Sequence, residues 1–304
     1  MSNLADSLTR EELFQSGHPF CPGCSGGILM RWLAKALGRD SICNVAATCL
    51  ALPTLVYPHS LNLPCLYISM APSPAGVTGV SAALKILRRK GRLPAERKIN
   101  VFAVAGDGSA GDIGLASLSG AAERNDDGLY FVFDNEAYMN TGIQRSGSTP
   151  RYTWTTSTLS GKPERKKDLP RIMAAHDIPY LATLSFAYPE DFFAKVAKAR
   201  DMEPGFKYFH IHSPCPAGWR FSEDKTIQVA RAAVESGLWI LYELDQGQFR
   251  LTLRPARRRP VADYLKLQGR FKDLTGEDLR ALQEEVDQRW KALEEGQVQI
   301  PVLA

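Results

Sequence analysis

Two groups of residues have the types and spacing to do chemistry. The first is a glycine turn, Gly106-Asp107-Gly108-Ser109-Ala110-Gly111, followed later in the chain by Asp134-Asn135-Glu136-Ala137. Gly106, Gly108 and Gly111 satisfy the G-x-G-x-x-G pattern by which a strand-to-helix turn cradles a dinucleotide, and Asp134 stands where a ribose-binding acid is expected. That reading makes the protein a nicotinamide-dependent oxidoreductase. The carboxylate of Asp107, set between the first two glycines, opposes it, because it would repel a bare pyrophosphate. A hard cation between carboxylate and phosphate removes the objection. Mg²⁺ takes oxygen ligands in an octahedral array, often one or two protein groups plus phosphates. Asp107, the side chain of Asn135 and the backbone carbonyl of Ala137 offer such oxygens, and a helix N-terminus after the turn would face the phosphates.

The second group is the cysteines. Cys21 and Cys24 form a C-x-x-C pair around Pro22-Gly23, and no second such pair exists. Cys49 and Cys215, the latter between Pro214 and Pro216, are the candidates to complete a four-thiolate set. Four thiolates from separate loops suit an iron–sulfur cluster or a structural zinc ion, and a C-x-x-C alone also suits a thiol redox pair. Cys43 and Cys65 sit in apolar, strand-like contexts and read as small hydrophobes. His18, His59, His176, His210 and His212 show no pattern that completes a metal site, and none is assigned to chemistry.

The elements that must position these residues follow from hydrophobic periodicity. Lys98–Ala105 and Leu129–Phe133 are apolar, β-rich runs of the kind buried on both faces of a parallel sheet. With a helix over Asp112–Arg124 between them they make a right-handed βαβ unit, so that Asp107 and Asn135 emerge at neighbouring strand ends. Further helices are expected over Ile28–Leu37, Val77–Arg89 and Glu190–Arg200, and from the N-cap-like Thr275 through Leu293. Further strands are expected over Ile42–Thr48, Leu66–Ser69 and Tyr208–His212, and a hairpin over Leu238–Glu243 and Gln248–Leu253. Asn140–Asp168 is a long polar stretch without periodicity, a functional or mobile loop. Arg254–Arg259 is a basic run best read as a solvated face.

The chain has 304 residues, 44% hydrophobic and 23% charged, with a formal net charge of +4. That is ordinary globular composition and too weak a charge to argue for nucleic acid. No apolar run reaches the ~18–20 residues of a membrane helix, and Met1–His18 is polar and carries acids, unlike a signal peptide. The expectation is a cytoplasmic protein. Residues 1–220 are expected to form the α/β ligand-binding domain, and 221–304 a C-terminal tail packed on it or on a partner.

With these residues in place, the chain resembles the thiamine-binding β subunit of 2-oxoacid:ferredoxin oxidoreductases, the pyruvate:ferredoxin type above all. The resemblance is carried by Gly17-His-Pro-Phe-Cys21-Pro-Gly-Cys24, Ala47-Thr-Cys49, Ala105-Gly-Asp-Gly-Ser-Ala-Gly-Asp-Ile-Gly114 and Phe133-Asp-Asn-Glu-Ala-Tyr-Met-Asn-Thr-Gly142. It continues through Trp154-Thr-Thr, Gly161-Lys, Ile172-Met-Ala-Ala-His176, Ser213-Pro-Cys-Pro-Ala-Gly-Trp219 and Val261–Phe271, and so covers nearly the whole chain.

The resemblance implies an α/β thiamine diphosphate-binding fold, mostly a parallel sheet flanked by helices, with a C-terminal extension. It implies a 4Fe-4S cluster on Cys21, Cys24, Cys49 and Cys215. It implies Mg²⁺ and thiamine diphosphate at Asp107, Asn135 and the Ala137 carbonyl, with Gly106, Gly108, Ser109, Ala110, Thr48 and Cys24 around the cofactor. Asn140 would face the reacting carbon, with Thr141 beside it. The activity implied is oxidative decarboxylation of a 2-oxoacid, with electrons leaving singly to ferredoxin and CoA as a candidate acyl acceptor. Other subunits would supply the Glu that activates the aminopyrimidine, and much of the substrate pocket. Gly142–Asp168 and the helix after Thr275 are candidate surfaces for them. Pyruvate is the default substrate. The prolines in Met70–Val77, a segment that lines the cofactor in the family, leave oxalate, branched-chain and aromatic 2-oxoacids open. The readings that compete are a nicotinamide enzyme with structural zinc, and a metal-stapled scaffold subunit without catalysis.

Overall fold

A computed structural model describes residues 8–296; the first seven residues of the polar Met1–His18 segment lie outside it. The helices are α1 (Ser25–Leu37), α2 (Leu52–Leu55), α3 (Ser73–Arg89), α4 (Leu115–Glu123), α5 (Leu169–Ala174), α6 (Pro189–Asp201), α7 (Pro216–Trp219), α8 (Thr226–Glu235), α9 (Val261–Leu265) and α10 (Gly276–Glu294). The strands are β1 (Ser41–Ala46), β2 (Cys65–Ile68), β3 (Asn100–Gly106), β4 (Gly128–Asp134), β5 (Tyr180–Ser185), β6 (Phe206–His212), β7 (Tyr242–Asp245) and β8 (Gln248–Leu251). They form one eight-stranded sheet in the order β2-β1-β3-β4-β6-β5-β7-β8. The first six strands run parallel; β7 joins β5 antiparallel and turns back as a hairpin into β8.

The sequence explains this arrangement. Gly128-Leu-Tyr-Phe-Val-Phe-Asp134 is buried at every position, because β4 lies mid-sheet with helices over both faces. One face carries α1 and α6, with Leu29, Leu33, Phe192 and Val196 against Val45, Phe131 and Phe209. The other carries α3, α4 and α8, with Val77, Leu118 and Val229 against Ala103, Val132 and Tyr208. α1 presents an apolar stripe and stops at Gly38, whose φ of +73° suits a glycine and whose N–H donates to the Ala34 carbonyl. α10 opens with a reciprocal capping box between Thr275 and Asp278 and buries Val286 and Trp290.

Some expectations need correction. The helix expected from Asp112 begins as a π-type turn over Ser109–Ile113, and α4 starts only at Leu115. β5, α5 and α8 are absent from the expectations, although α8 buries Thr226, Val229, Ala230 and Ala233 at helical spacing. The C-terminal residues contribute β7 and β8 to the main sheet, and α9 and α10 pack on the core beside α8. The long segment 140–168 has neither helix nor strand, yet it is largely folded inward. Lys162, Ser146, Thr149 and Thr153 are buried, and Lys162 Nζ donates to the carbonyls of Gly147, Thr149 and Arg165. A lysine that satisfies three backbone acceptors organises a loop from within, while Leu159 and other residues of the segment stay exposed. Cys65 lies on an exposed edge strand rather than in the core, while Cys43, its register partner, is fully buried. Among the described residues no helix is long and apolar enough to cross a membrane.

Candidate functional site

The site forms where β1, β3 and β4 end. Register pairs Gly106 with Phe133, so the chain leaves both strands at the same level and brings Asp107 beside Asn135. Gly106 abuts Thr48, which follows β1; a Cβ on Gly106 would lie 3.3 Å from the Thr48 methyl. Between these strand ends lies a crevice of about 390 Å³. Of the residues singled out in the sequence, Thr48, Cys49, Gly106, Gly108, Ser109, Asn135, Ala137, Asn140 and Thr141 line it. Asp107 and Cys24 are not among the lining residues; Asp107 lies buried behind Asn135, 1% exposed. Ala110 points into the core instead, so only its backbone can face a ligand. The Ser109 hydroxyl is committed to the Met70 carbonyl, at 2.8 Å. Ala47, Met70, Phe133, Tyr138 and Met139 complete the walls; they stand in segments quoted from the sequence, which gave them no individual role.

Three polar groups meet at this point. The Asn135 amide places one terminal atom 3.0 Å from the Ala137 carbonyl oxygen and 3.1 Å from Oδ1 of Asp107. With nitrogen inward, that atom donates to both. With oxygen inward, three oxygens face one another without a proton between them, which only a cation stabilises. Neighbouring ligands of an octahedron of radius 2.0–2.1 Å are separated by about 2.9 Å. The three groups therefore fit a small hard cation. The electrostatics agree. Burial, then the charge of Asp134, pushes the Asp107 carboxyl well above the usual range; the Ser146 hydroxyl, 2.6 Å from Oδ2, and Lys166 offset this only in part. A cation at this point would relieve the buried charge.

Asp134 itself is not available to a ribose. It is fully buried, bonded to His210 Nε2 at 2.7 Å and to Lys166 Nζ at 2.7 Å. Burial would raise its carboxyl, but Lys166 and His210 hold it well below the usual range. The dinucleotide fingerprint is thus incomplete where it binds the cofactor's ribose. Gly108 needs its missing side chain for a local reason: a Cβ there would lie 2.4 Å from the Tyr138 ring. Tyr138 in turn donates to the Gly108 carbonyl and to Asp112, both at 3.2 Å.

The four candidate cysteines come together next to the crevice. Cys24 caps α1 and Cys215 caps α7; their sulfurs accept from the backbone N–H of Gly26 at 3.3 Å and of Gly218 at 3.4 Å. Cys49 opens a helical turn capped by Thr48. N–H groups directed at sulfur favour the thiolate. Burial acts the other way, pushing Cys24 and Cys49 up to about 12 and raising Cys215; Cys21 and Cys215 add mutual repulsion. Without a positive centre these thiols stay protonated. Ser25 Oγ, bonded to the Pro214 carbonyl at 3.0 Å, ties the first cysteine loop to the last. Among the described residues, no three His, Cys, Asp or Glu side chains close on a single point as one ion requires. The thiols are near enough for their charges to repel one another. Four sulfur donors from separate loops suit an iron–sulfur cluster or a zinc ion.

Trp219 joins the two halves of the site. Its backbone N–H donates to the Cys215 carbonyl and its indole Nε1 to the Asn135 carbonyl, both at 2.8 Å. Arg270 lies 3.7 Å over the indole ring and pairs with Glu136. Lys166 bridges Asp134 and Glu136. Trp219 and Arg270 stand in segments quoted for the resemblance but had no role assigned, and nothing in the sequence singled out Lys166.

Comparison with known proteins is consistent with this geometry. The family described as thiamine pyrophosphate enzyme, C-terminal TPP binding domain, matches residues 45–211. The chain is 47% identical to pyruvate synthase subunit PorB of Methanocaldococcus jannaschii, covering 93% of this chain and 97% of that one. It is 43% identical to ketoisovalerate oxidoreductase subunit VorB of Pyrococcus abyssi, covering 94% of each. Among solved structures, it resembles the 2-oxoglutarate:ferredoxin oxidoreductase of Magnetococcus marinus at a TM-score of 0.55 and 19% identity, over 76% of this chain and 81% of that one, which speaks for the fold.

Proposed function

From the premise that this chain belongs to the thiamine pyrophosphate enzyme family, as a β subunit of the 2-oxoacid:ferredoxin oxidoreductases, we propose that it holds Mg²⁺–thiamine diphosphate and a 4Fe-4S cluster side by side. The observation that carries the proposal is the convergence of Asp107, Asn135 and the Ala137 carbonyl on one point beside the crevice, with Cys49 in the wall of the same crevice.

Asp107, Asn135 and the Ala137 carbonyl hold the cation, which neutralises the cofactor's diphosphate. Gly108 and Ser109 let the backbone approach that diphosphate closely. Cys21, Cys24, Cys49 and Cys215 hold the cluster. When bound, thiamine diphosphate supplies a nucleophilic carbon and an electron sink for cleavage beside a 2-oxo group, and the cluster supplies a one-electron acceptor. Asn140 and Thr141, exposed at the rim, present an amide and a hydroxyl to the substrate; Thr141 Oγ1 is oriented by Gln144 at 2.6 Å. Phe133, Met70 and Met139 exclude water from the crevice wall.

The chain functions within a larger assembly, since its homologues are named as subunits. A partner subunit supplies the carboxylate that activates the aminopyrimidine: Glu136, the acid within the motif, is buried and held by Lys166 and Arg270. Pyruvate is the default substrate and ferredoxin the electron acceptor. The test is anaerobic isolation with co-expressed partners, followed by iron, sulfide, zinc, magnesium and thiamine assays. About four iron and four sulfide per chain, with thiamine retained, support the proposal. Zinc without sulfide refutes the cluster assignment, and bound nucleotide without thiamine refutes the whole reading.

A further inference from the structure

Glu136 stands between two of the three proposed cation ligands, and its backbone is in the left-handed region, φ +64°. A glutamate has no intrinsic reason to adopt that conformation, which crowds its Cβ against the backbone. Here it reverses the chain, so that the Asn135 side chain and the Ala137 carbonyl both face Asp107. An extended residue at this place would send the Ala137 carbonyl elsewhere.

The structure holds this conformation from every side. The Glu136 N–H donates to Asp134 Oδ1 at 3.1 Å, and its carbonyl accepts from Thr149 Oγ1 at 2.7 Å. Its carboxylate, 3% exposed, takes Lys166 Nζ at 2.7 Å on one oxygen and Arg270 on the other. Lys166 also pairs with Asp134, and Arg270 is fixed between Gln268 Oε1, at 2.9 Å, and the Trp219 ring. Two buried carboxylates thus face two buried cations, a balanced set in which removing one member leaves an uncompensated charge.

The geometry points to Glu136, Lys166 and Arg270 as a positioning clamp that holds the cation-binding loop in its left-handed turn. The inference rests on the proposed cation ligands and adds what keeps them convergent. It also makes the segment around Arg270, 134 residues away in sequence, part of the cofactor site.

The test uses the assembled enzyme, stripped of cation and cofactor and titrated with Mn²⁺ at saturating thiamine diphosphate. Free Mn²⁺ is followed by electron paramagnetic resonance. Glu136→Ala is expected to raise the Mn²⁺ Kd at least tenfold, with iron and sulfide content unchanged. Glu136→Gly loses the same carboxylate but adopts the left-handed backbone freely, so part of that loss is expected to return. Arg270→Gln, which keeps a hydrogen bond and removes a charge, is expected to weaken Mn²⁺ in the same direction and serves if the Glu136 variants do not assemble. Wild-type affinity in Glu136→Ala or in Arg270→Gln overturns the clamp, as does Glu136→Gly binding no better than Glu136→Ala. If the wild-type enzyme itself binds no Mn²⁺ with thiamine diphosphate, the cation assignment fails instead.

Discussion

His212 should make the protein acid-sensitive by a calculable amount. It is 2% exposed at the end of β6, its Nε2 bonded to the Tyr264 hydroxyl at 3.1 Å and its ring packed on Trp219 and Trp239. Burial holds it neutral, down to about 3; Glu136 and Asp134 pull the other way, and Lys166 and Arg270 add to the burial effect. In the unfolded chain a histidine titrates near 6.5. The unfolded state therefore gains a proton on acidification that the folded state refuses, and stability falls as pH drops. Between pH 7 and pH 5 the loss is about 2 kcal/mol, which for a chain of 304 residues is about 3 °C in Tm. Asp134 and Glu136 are held below the usual range, so their stabilising share is lost only at more acid pH. Asp107 has the opposite sign, because its raised carboxyl takes up a proton in the folded state first. A comparison of wild type with His212→Asn removes that contribution. The assay is thermal denaturation followed by tryptophan fluorescence, under argon, from pH 5 to pH 8. The variant is expected to start lower, having lost packing, but to fall less steeply by about 2 kcal/mol over the interval. Equal slopes would refute the reasoning, since they would mean that His212 is free to charge within the fold.

The two proposed ligand sets should separate. Asp107→Asn is expected to abolish Mg²⁺–thiamine diphosphate retention with iron and sulfide intact, and Cys215→Ala to lose iron and sulfide with thiamine retained; elemental and thiamine assays on the assembled enzyme check both, and joint loss in both variants defeats the two-site picture. Gly108→Ala would bring a Cβ within 2.4 Å of the Tyr138 ring, so cofactor Kd should rise at least tenfold by calorimetry while secondary structure by circular dichroism is unchanged. Trp219→Phe removes the indole donor to the Asn135 carbonyl and leaves that buried acceptor unpaired, a cost of about 1–3 kcal/mol. Chemical denaturation should register the loss.

What could be read along the chain is what short-range patterning encodes. The apolar runs that became β3 and β4, the glycine turn between them and the order of Asp107 and Asn135 follow from residue type and local period, and so does the capping box at Thr275. The four cysteines stand in order in the sequence, but not the fact that Cys24 and Cys215 cap helices whose backbone N–H groups face the sulfurs. β5, although buried at all six positions, follows no alternation, because a strand covered on both faces has none to show. The polar stretch 140–168 looked solvated because its lysines were counted as surface charge. Lys166 is buried through pairing with Glu136, 30 residues earlier, and Arg270 through pairing with the same residue, 134 residues earlier. A buried charge is tolerated only where the folded chain delivers its partner, so no local window can reveal it. The left-handed turn at Glu136 has the same origin. Its own residue type opposes the conformation, and contacts from the long loop and the C-terminal segment hold it in place.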